Sequence, residues 1–176
     1  EMMNELVDLS GIRKNGYMYV VPMASSVPDS SLMWASEDFI RAGVGKVPGY
    51  VFRQGEIPPE PQLDSLRSAK LIYISGGDQS RFMSVVFNTP VMDAIHEAYK
   101  NGSVVAGTSA GAAVMSKKMI TGNQKKHLEP EAGFTTIEAE NIEIAEGLGL
   151  LENVIIDQHF IKRQRLNRLI AASIEN

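Results

Sequence analysis

Short apolar segments alternate with amphipathic segments along most of the chain. The apolar runs are rich in Val, Ile and Tyr and have the length of buried strands, whereas the amphipathic segments have the length and spacing of helices. Strands are predicted at residues 17–21, 50–52, 71–74, 103–106 and 154–156, and helices at residues 29–42, from 79 onward, 90–100, 110–118 and 160–174.

This alternation predicts the class of fold. Strands that alternate with helices pair in parallel, because the helix carries the chain back to the starting edge of the sheet. We therefore expect an α/β fold with a mostly parallel sheet, formed as a single domain over residues 1–176.

Local signals refine this picture. Asp29 or Ser30 is placed to cap the first predicted helix, and Gly43 follows its end. Residues 55–61 contain three prolines and are predicted to form a surface loop. Residues 121–146 are polar and acidic, and we expect a long excursion there with one or two short strands.

Composition narrows the class of protein. With 176 residues and 44% hydrophobic content, the chain suits one domain with a substantial core. The net charge of -4 means that the chain has no overall excess of basic residues for binding nucleic acid. The sequence has no apolar run long enough for a membrane span and no leader-like segment, and the absence of cysteine excludes disulfides and a thiolate nucleophile. We expect a cytoplasmic protein without a cofactor or a bound metal.

Residues 107–111 carry the most specific motif of the chain. They read G-x-S-x-G between an apolar strand and a helix of small residues, which is the pattern of a nucleophile elbow. The turn is so sharp that glycine is needed on both sides of Ser109, and the hydroxyl is pushed clear of the sheet. A glycine-rich turn of this kind also occurs in phosphate-binding loops or serves packing alone, so the interpretation requires a base.

Two other polar segments also follow predicted strands. Residues 76–79 read Gly-Gly-Asp-Gln, and residues 157–160 read Asp-Gln-His-Phe. In an open parallel sheet, ligands bind at the carboxyl ends of the strands. Gly77 is placed to complete an oxyanion hole with the N–H of Ala110, although an ordinary turn has the same sequence.

The chain contains only three histidines, which shortens the search for a base. His96 lies within a predicted helix and His127 in a polar loop, where both are expected to be solvated. His159 closes the last predicted strand, at the same sheet edge as Ser109. We therefore predict that His159 is the general base, since neutral imidazole can accept the serine proton.

Two further sets of charged residues bear on the site. The last predicted helix is basic, and the fork of Arg163 or Arg165 suits a carboxylate, although a solvated basic face has the same pattern. The acid that orients His159 should come from the excursion before it. The candidates are Glu129, Glu131 and Glu138, and the sequence does not choose among them.

Taken together, these motifs resemble peptidase family S51, in particular its cyanophycinase branch. The resemblance covers residues 71–170 in family order and is weak over residues 17–70. The segments that carry it are residues 76–79, 107–116, 119–120, 147–151 and 156–160, followed by Arg163, Arg165 and Arg168.

The resemblance implies a three-layer, flavodoxin-like fold related to class I glutamine amidotransferases, usually as a homodimer. It also implies a metal-free serine exopeptidase that releases β-aspartyl-arginine from cyanophycin, a polymer rich in Asp and Arg. By position, Ser109 corresponds to the nucleophile and His159 to the base. The residues that correspond to the substrate pocket are Gln79, Asp157, Gln158, Arg163, Arg165 and Arg168. The family also has a strand before this region and a glycine-rich region after it, which the chain is expected to lack.

Two other functions remain open at this stage. One is a dipeptidase that prefers an N-terminal acidic residue with an ordinary α-linkage. The other is an inactive relative that binds acidic or peptide ligands without turnover. A lipase or esterase is disfavoured because the candidate pocket residues are charged.

Overall fold

Three of the predicted strands form a parallel sheet in the computed structural model, which describes residues 2–129 and 134–176. The strands are β1 (Met18–Val21), β2 (Leu71–Ile74) and β3 (Val104–Gly107), in the order β1-β2-β3. Every residue of β1 and β2 is buried, as expected for a parallel sheet covered on both faces. This sheet belongs to the first of two compact units, which ends at Gly111; the second begins at Ala112.

Helices follow or precede each strand of the first unit. They are α1 (Met2–Ser10), α2 (Pro28–Arg41), α3 (Glu60–Arg67), α4 (Gln79–Val86) and α5 (Pro90–Lys100). A further single-turn helix, α6 (Ala110–Ala113), begins in the first unit and ends in the second. The helices predicted at 29–42, from 79 and at 90–100 are confirmed, whereas α1 and α3 were not predicted. Residues of α2 that face solvent include Trp34, the only tryptophan of the chain, which is 55% exposed.

Alternate residues of the strands face two different helical layers. On one side, Val20 and Tyr73 share a core cluster with Val7 of α1 and Phe39 of α2. The Phe39 and Tyr73 rings meet edge to face, 5.1 Å apart. On the other side, Tyr19 borders the same small cavity as α3 and α5. The predicted α/β fold with a parallel sheet between two layers of helices is therefore confirmed.

Two predictions near the middle of this unit were wrong. Residues 50–52 form no strand, and only Gly49 makes an isolated bridge, to Val20 of β1. Pairing stops there because the chain turns away and buries Phe52 beside Leu63 of α3. The loop predicted at 55–61 ends early, because α3 already begins at Glu60. The proline that follows lies in the first turn, where a helix does not need its N–H.

The predicted cap of α2 is also wrong. The N-cap position is held by Val27, and no side chain caps the helix. Pro28 starts the helix instead, because its ring already fixes the backbone angle that the first turn requires. Asp29 lies inside the first turn, where its charge favours the positive end of the helix dipole.

The second unit contains an antiparallel pair and a helix. The strands β4 (Lys118–Gln124) and β5 (Ile142–Glu146) pair with an irregularity between Ile120 and Gln124, and α7 (Leu166–Glu175) follows them. Ala171 and Ala172 of α7 pack against Ile120. The expectation of one or two short strands in the excursion is thus confirmed.

Three other predictions in this region need correction. Residues 154–156 form no strand, since the backbone N–H of Ile156 donates to the Ser116 hydroxyl (3.0 Å) rather than to a ladder. The elbow helix ends at Ala113, because the chain next pairs outside the helix: the Lys117 N–H donates to the Leu151 carbonyl oxygen (2.9 Å), and the Leu151 N–H donates to the Met115 carbonyl oxygen (3.0 Å). The last helix starts at Leu166 rather than near 160, because Gln164 adopts a left-handed backbone conformation that interrupts a helix.

No helix among residues 2–129 and 134–176 combines the length and the apolar character that crossing a membrane requires.

Candidate active site

Ser109 lies in a strained turn between β3 and α6. Its φ of +54° is left-handed, a conformation that non-glycine residues rarely adopt. Gly111, two residues later, touches the backbone of β2 so closely that a Cβ there would lie 2.2 Å from the Ile74 carbonyl oxygen. The strand, turn and helix predicted around the motif are present, and the glycine on the helix side is required by contact with the sheet.

The Gly76–Gly77 turn flanks this elbow within the same unit. A Cβ built on Gly76 would lie 3.5 Å from the Ser109 Cβ. Gly77 has a φ of +145°, and a Cβ there would lie 2.1 Å from the Ala24 carbonyl oxygen. Only glycine fits this position, because the turn passes directly against the backbone of the loop after β1. The structure therefore brings together the two glycine-containing motifs that the sequence singled out.

The two residues after this turn are fixed by α4. The Asp78 carboxylate caps the helix by accepting a hydrogen bond from the Arg81 backbone N–H at 2.8 Å. Gln79, the first residue of α4, is 5% exposed. The turn is thus anchored to the start of a helix and, through the Asp78 backbone N–H that donates to the Ala24 carbonyl oxygen at 2.8 Å, to the loop after β1.

In the second unit, His159 lies on an exposed turn before α7. Its φ of +55° is again left-handed, and its carbonyl oxygen accepts a hydrogen bond from the Arg163 backbone N–H at 2.9 Å. Partial loss of hydration and the positive charges of Arg163 and Arg165 lower the pKa of His159. The neutral imidazole, which is the form a general base needs, is therefore favoured at neutral pH.

The residues on either side of this histidine are tied to α7. The Asp157 carboxylate and the Arg168 guanidinium form an ion pair in which each side chain is 1% exposed. Arg165 donates from one nitrogen to both the backbone oxygen (2.7 Å) and the side-chain oxygen (2.9 Å) of Gln158. Burial lowers the pKa of Arg165 to about 10. Of the arginines expected in the substrate pocket, only Arg163 is exposed.

The candidate orienting acids have different surroundings. Glu138 accepts a hydrogen bond from His127 (2.7 Å) and pairs with Lys126 (3.5 Å), and the hydrogen bond with His127 lowers the pKa of Glu138. Glu129 is exposed, and Glu131 lies outside the described residues. The carboxylate of Glu138 is therefore already engaged by another histidine.

Sequence reasoning missed the buried pairing in front of α7. The sequence suggested that Arg163 or Arg165 binds a carboxylate ligand, and the resemblance placed Arg165 and Arg168 in the substrate pocket, but neither predicted their contacts with residues 157 and 158. In the described part of the chain, no group of three or more His, Asp or Glu side chains is arranged so that it could hold a metal ion.

Comparison with known proteins places the chain in a family. Residues 2–175 match the sequence profile of Peptidase family S51, and the chain belongs to that family. It is 36% identical over 158 residues to a cyanophycinase of Nostoc sp. (strain PCC 7120), a match that covers 89% of this chain and 50% of that protein. It is 35% identical to a cyanophycinase of Thermosynechococcus vestitus, with 87% of this chain and 46% of that protein covered. The chain thus spans about half the length of the curated relatives that it matches.

Solved structures show the same fold. The structure of a peptidase from an acI-B1 Actinobacterium matches with a TM-score of 0.65 and 22% identity, covering 99% of this chain and 68% of that one. A putative Peptidase E protein from Listeria monocytogenes matches with a TM-score of 0.56 and 17% identity, covering 98% of this chain and 80% of that one.

Proposed function

We propose that this chain carries the catalytic residues of a serine-type exopeptidase that hydrolyses β-aspartyl peptides, with cyanophycin as the substrate class. The observation that carries the proposal is Ser109, held left-handed in a glycine-flanked turn between strand and helix. Membership of family S51 and the similarity to cyanophycinases support the choice of substrate.

The proposed reaction begins at the Ser109 hydroxyl. Its oxygen attacks the scissile carbonyl carbon while the His159 imidazole accepts its proton. The backbone N–H groups of Gly77 and Ala110 donate to the oxyanion of the tetrahedral intermediate. When the C–N bond breaks, the imidazolium returns the proton to the leaving amine. Water then hydrolyses the acyl-enzyme by the same steps, which releases the acid and regenerates the serine.

The roles of the charged residues follow from this reaction. Glu129 is the proposed orienting acid, since the carboxylate of Glu138 is held by His127 and Lys126. Glu129→Gln should then lower kcat, with Glu138→Gln as the matched control that leaves kcat unchanged. Arg163, which is exposed beside His159, is proposed to bind a substrate carboxylate, with Gln79 and Gln158 as further contacts.

The decisive experiment tests the serine. Ser109→Ala should abolish release of β-aspartyl-arginine from cyanophycin. A fluorophosphonate probe should react with the parent protein, and peptide mapping should locate the label at Ser109. Ser84→Ala, an exposed serine on α4, is the matched control and should retain full activity. Turnover by Ser109→Ala at the parental rate would reject the proposal.

Two comparisons define the activity further. Parallel assays with β-aspartyl-arginine polymer and with α-aspartyl dipeptides separate the proposed activity from a dipeptidase that prefers acidic residues. Binding of the polymer without labelling or turnover would favour an inactive relative. We also propose that the protein acts as a homodimer, which sedimentation velocity tests directly.

A further inference from the structure

We propose that Asn15 is a site of spontaneous deamidation, where the chain converts its own Asn15–Gly16 peptide into an aspartyl or isoaspartyl linkage. The site lies in the loop between α1 and β1, and the inference does not rest on the proposed peptidase activity. A comparison of the two Asn-Gly pairs of the sequence, Asn15–Gly16 and Asn101–Gly102, carries it.

The chemistry requires an available backbone nitrogen. The nitrogen of the residue after an asparagine attacks the asparagine side-chain carbonyl carbon, a new C–N bond forms, and the side-chain amide nitrogen leaves as ammonia. Water then opens the resulting succinimide ring at one carbonyl or the other, which gives aspartate or isoaspartate. Glycine favours ring closure, because it has no side chain to shield its nitrogen and its backbone turns freely. A hydrogen bond donated by that nitrogen opposes ring closure, since the bond must open first.

The two Asn-Gly pairs have nearly the same sequence and the same exposure to water. Residues 14–17 read Lys-Asn-Gly-Tyr and residues 100–103 read Lys-Asn-Gly-Ser. Both asparagines and both glycines are exposed. Gly16 and Gly102 also share a positive φ, of +98° and +90°. A difference in reactivity between the pairs must therefore come from the hydrogen bonds that hold them.

The second pair is fixed at the end of α5. The Gly102 N–H, whose nitrogen would have to attack, donates to the Tyr99 carbonyl oxygen at 3.0 Å. The Asn101 N–H donates to the Glu97 carbonyl oxygen, also at 3.0 Å. Ring closure at Asn101 thus requires the end of the helix to open.

The first pair has no such restraint. Within residues 2–129 and 134–176, no hydrogen bond engages the Gly16 N–H or the side chain of Asn15. A Cβ on Gly16 would lie 2.6 Å from the Lys70 Cγ, and its positive φ also favours glycine. The fold therefore calls for glycine after Asn15 and leaves the glycine nitrogen available for attack.

The test follows both pairs in one protein, the Ser109→Ala variant. Its use prevents hydrolysis of β-aspartyl bonds by the parent protein from removing the isoaspartyl product. The variant is incubated in mildly alkaline buffer, and peptide mapping by mass spectrometry measures the loss of each asparagine. We expect Asn15 to react about five-fold or more faster than Asn101, with isoaspartate among the products. A rate at Asn15 no greater than that at Asn101 would overturn the proposal.

Two controls assign the difference to the fold. In concentrated urea the two rates should become similar, because the hydrogen bonds at Asn101 are then lost. A difference that persists unchanged in urea would contradict the structural argument. Asn15→Gln should abolish the modification at residue 15, since glutamine closes the larger ring far more slowly, and should leave the urea midpoint unchanged.

The outcome is separate from that of the proposed function. Turnover of cyanophycin by Ser109→Ala would reject the assignment of the nucleophile, but the loss of asparagine at each position would still be measured.

Discussion

Ser109 and His159 share a left-handed backbone, although neither is glycine. Each lies where the chain reverses direction before a helix, and in each case neighbouring residues hold the turn. At Ser109 the constraint is steric, through Gly111 against β2. At His159 it is polar, through hydrogen bonds with arginines. The two proposed catalytic groups are therefore held by different kinds of interaction, and they should respond differently to substitution.

The steric constraint predicts a large effect from one methyl group. In Gly111→Ala, the new Cβ would overlap the Ile74 carbonyl oxygen at 2.2 Å, so sheet and turn must separate. We expect a loss of about 3 kcal/mol in the free energy of unfolding, measured by urea denaturation. Gly45→Ala, at a glycine with open space around it, is the control and should change stability far less. Equal stability of the two variants would contradict the packing argument.

The charges around His159 predict how activity depends on pH. A base must be neutral, so kcat/KM falls as pH drops through the pKa of His159. Since partial desolvation and the charges of Arg163, Arg165 and Lys162 lower this pKa, the acidic limb should lie below the ordinary value of about 6.5. Lys162→Gln removes one of these charges and should move the limb to higher pH. A limb that stays in place would show that His159 does not control it.

At the scale of elements, the structure shows what a hydrophobic pattern can reveal. β1, β2 and β3 were predicted because parallel strands covered on both faces read as continuous apolar runs. Residues 154–156 have the same kind of run but form no strand: Val154 is exposed, and the Ile156 backbone N–H donates to the Ser116 hydroxyl instead of to a neighbouring strand. The beginning of α7 was missed since nothing in a sequence marks a left-handed histidine or glutamine.

The candidate site was predictable to a similar degree. The two glycine motifs were found because glycine is needed wherever backbone must approach backbone. The pairing of Asp157 with Arg168 was not predicted, because the identity of a charged residue does not reveal whether its partner is a ligand or another side chain. Roles for Ser109, His159 and Glu129 stay predictions until the serine and acid variants are assayed.

The start of α4 offers a prediction for a single element. Among α2, α3, α4 and α5, only α4 has an N-cap side chain that accepts a hydrogen bond, that of Asp78, directly after the Gly76–Gly77 turn. Asp78→Ala should cost about 1 kcal/mol of unfolding free energy, measured by thermal or urea denaturation. Asp78→Asn, which can accept the same hydrogen bond, should retain most of the stability. A similar loss in both variants would point to the charge rather than to the cap.

At the scale of the whole molecule, the proposed catalytic residues fall in different compact units. Ser109 lies in the unit that ends at Gly111, and His159 in the unit that begins at Ala112. The proposed reaction requires these two side chains to share a proton. Since the chain contains no cysteine, a pair of introduced thiols provides an unambiguous measure of their separation.

We expect Ser109→Cys/His159→Cys to be linked within one chain by a short bifunctional maleimide, detected by peptide mapping. The control pair Ser84→Cys/His159→Cys uses the exposed serine of α4 and should link less efficiently. Absence of linkage in the first pair would contradict the proposed catalytic partnership, whichever substrate is used.

The exposure of Trp34 determines how these experiments can be followed. Because the only tryptophan already faces water, its fluorescence in the native protein should be quenched readily by iodide and should change little on denaturation. Circular dichroism, or the near-ultraviolet signal of the buried Tyr19 and Tyr73, is the better monitor of core melting. A change in the fluorescence of the Trp34 indole can instead report the binding of a ligand or another protein to α2.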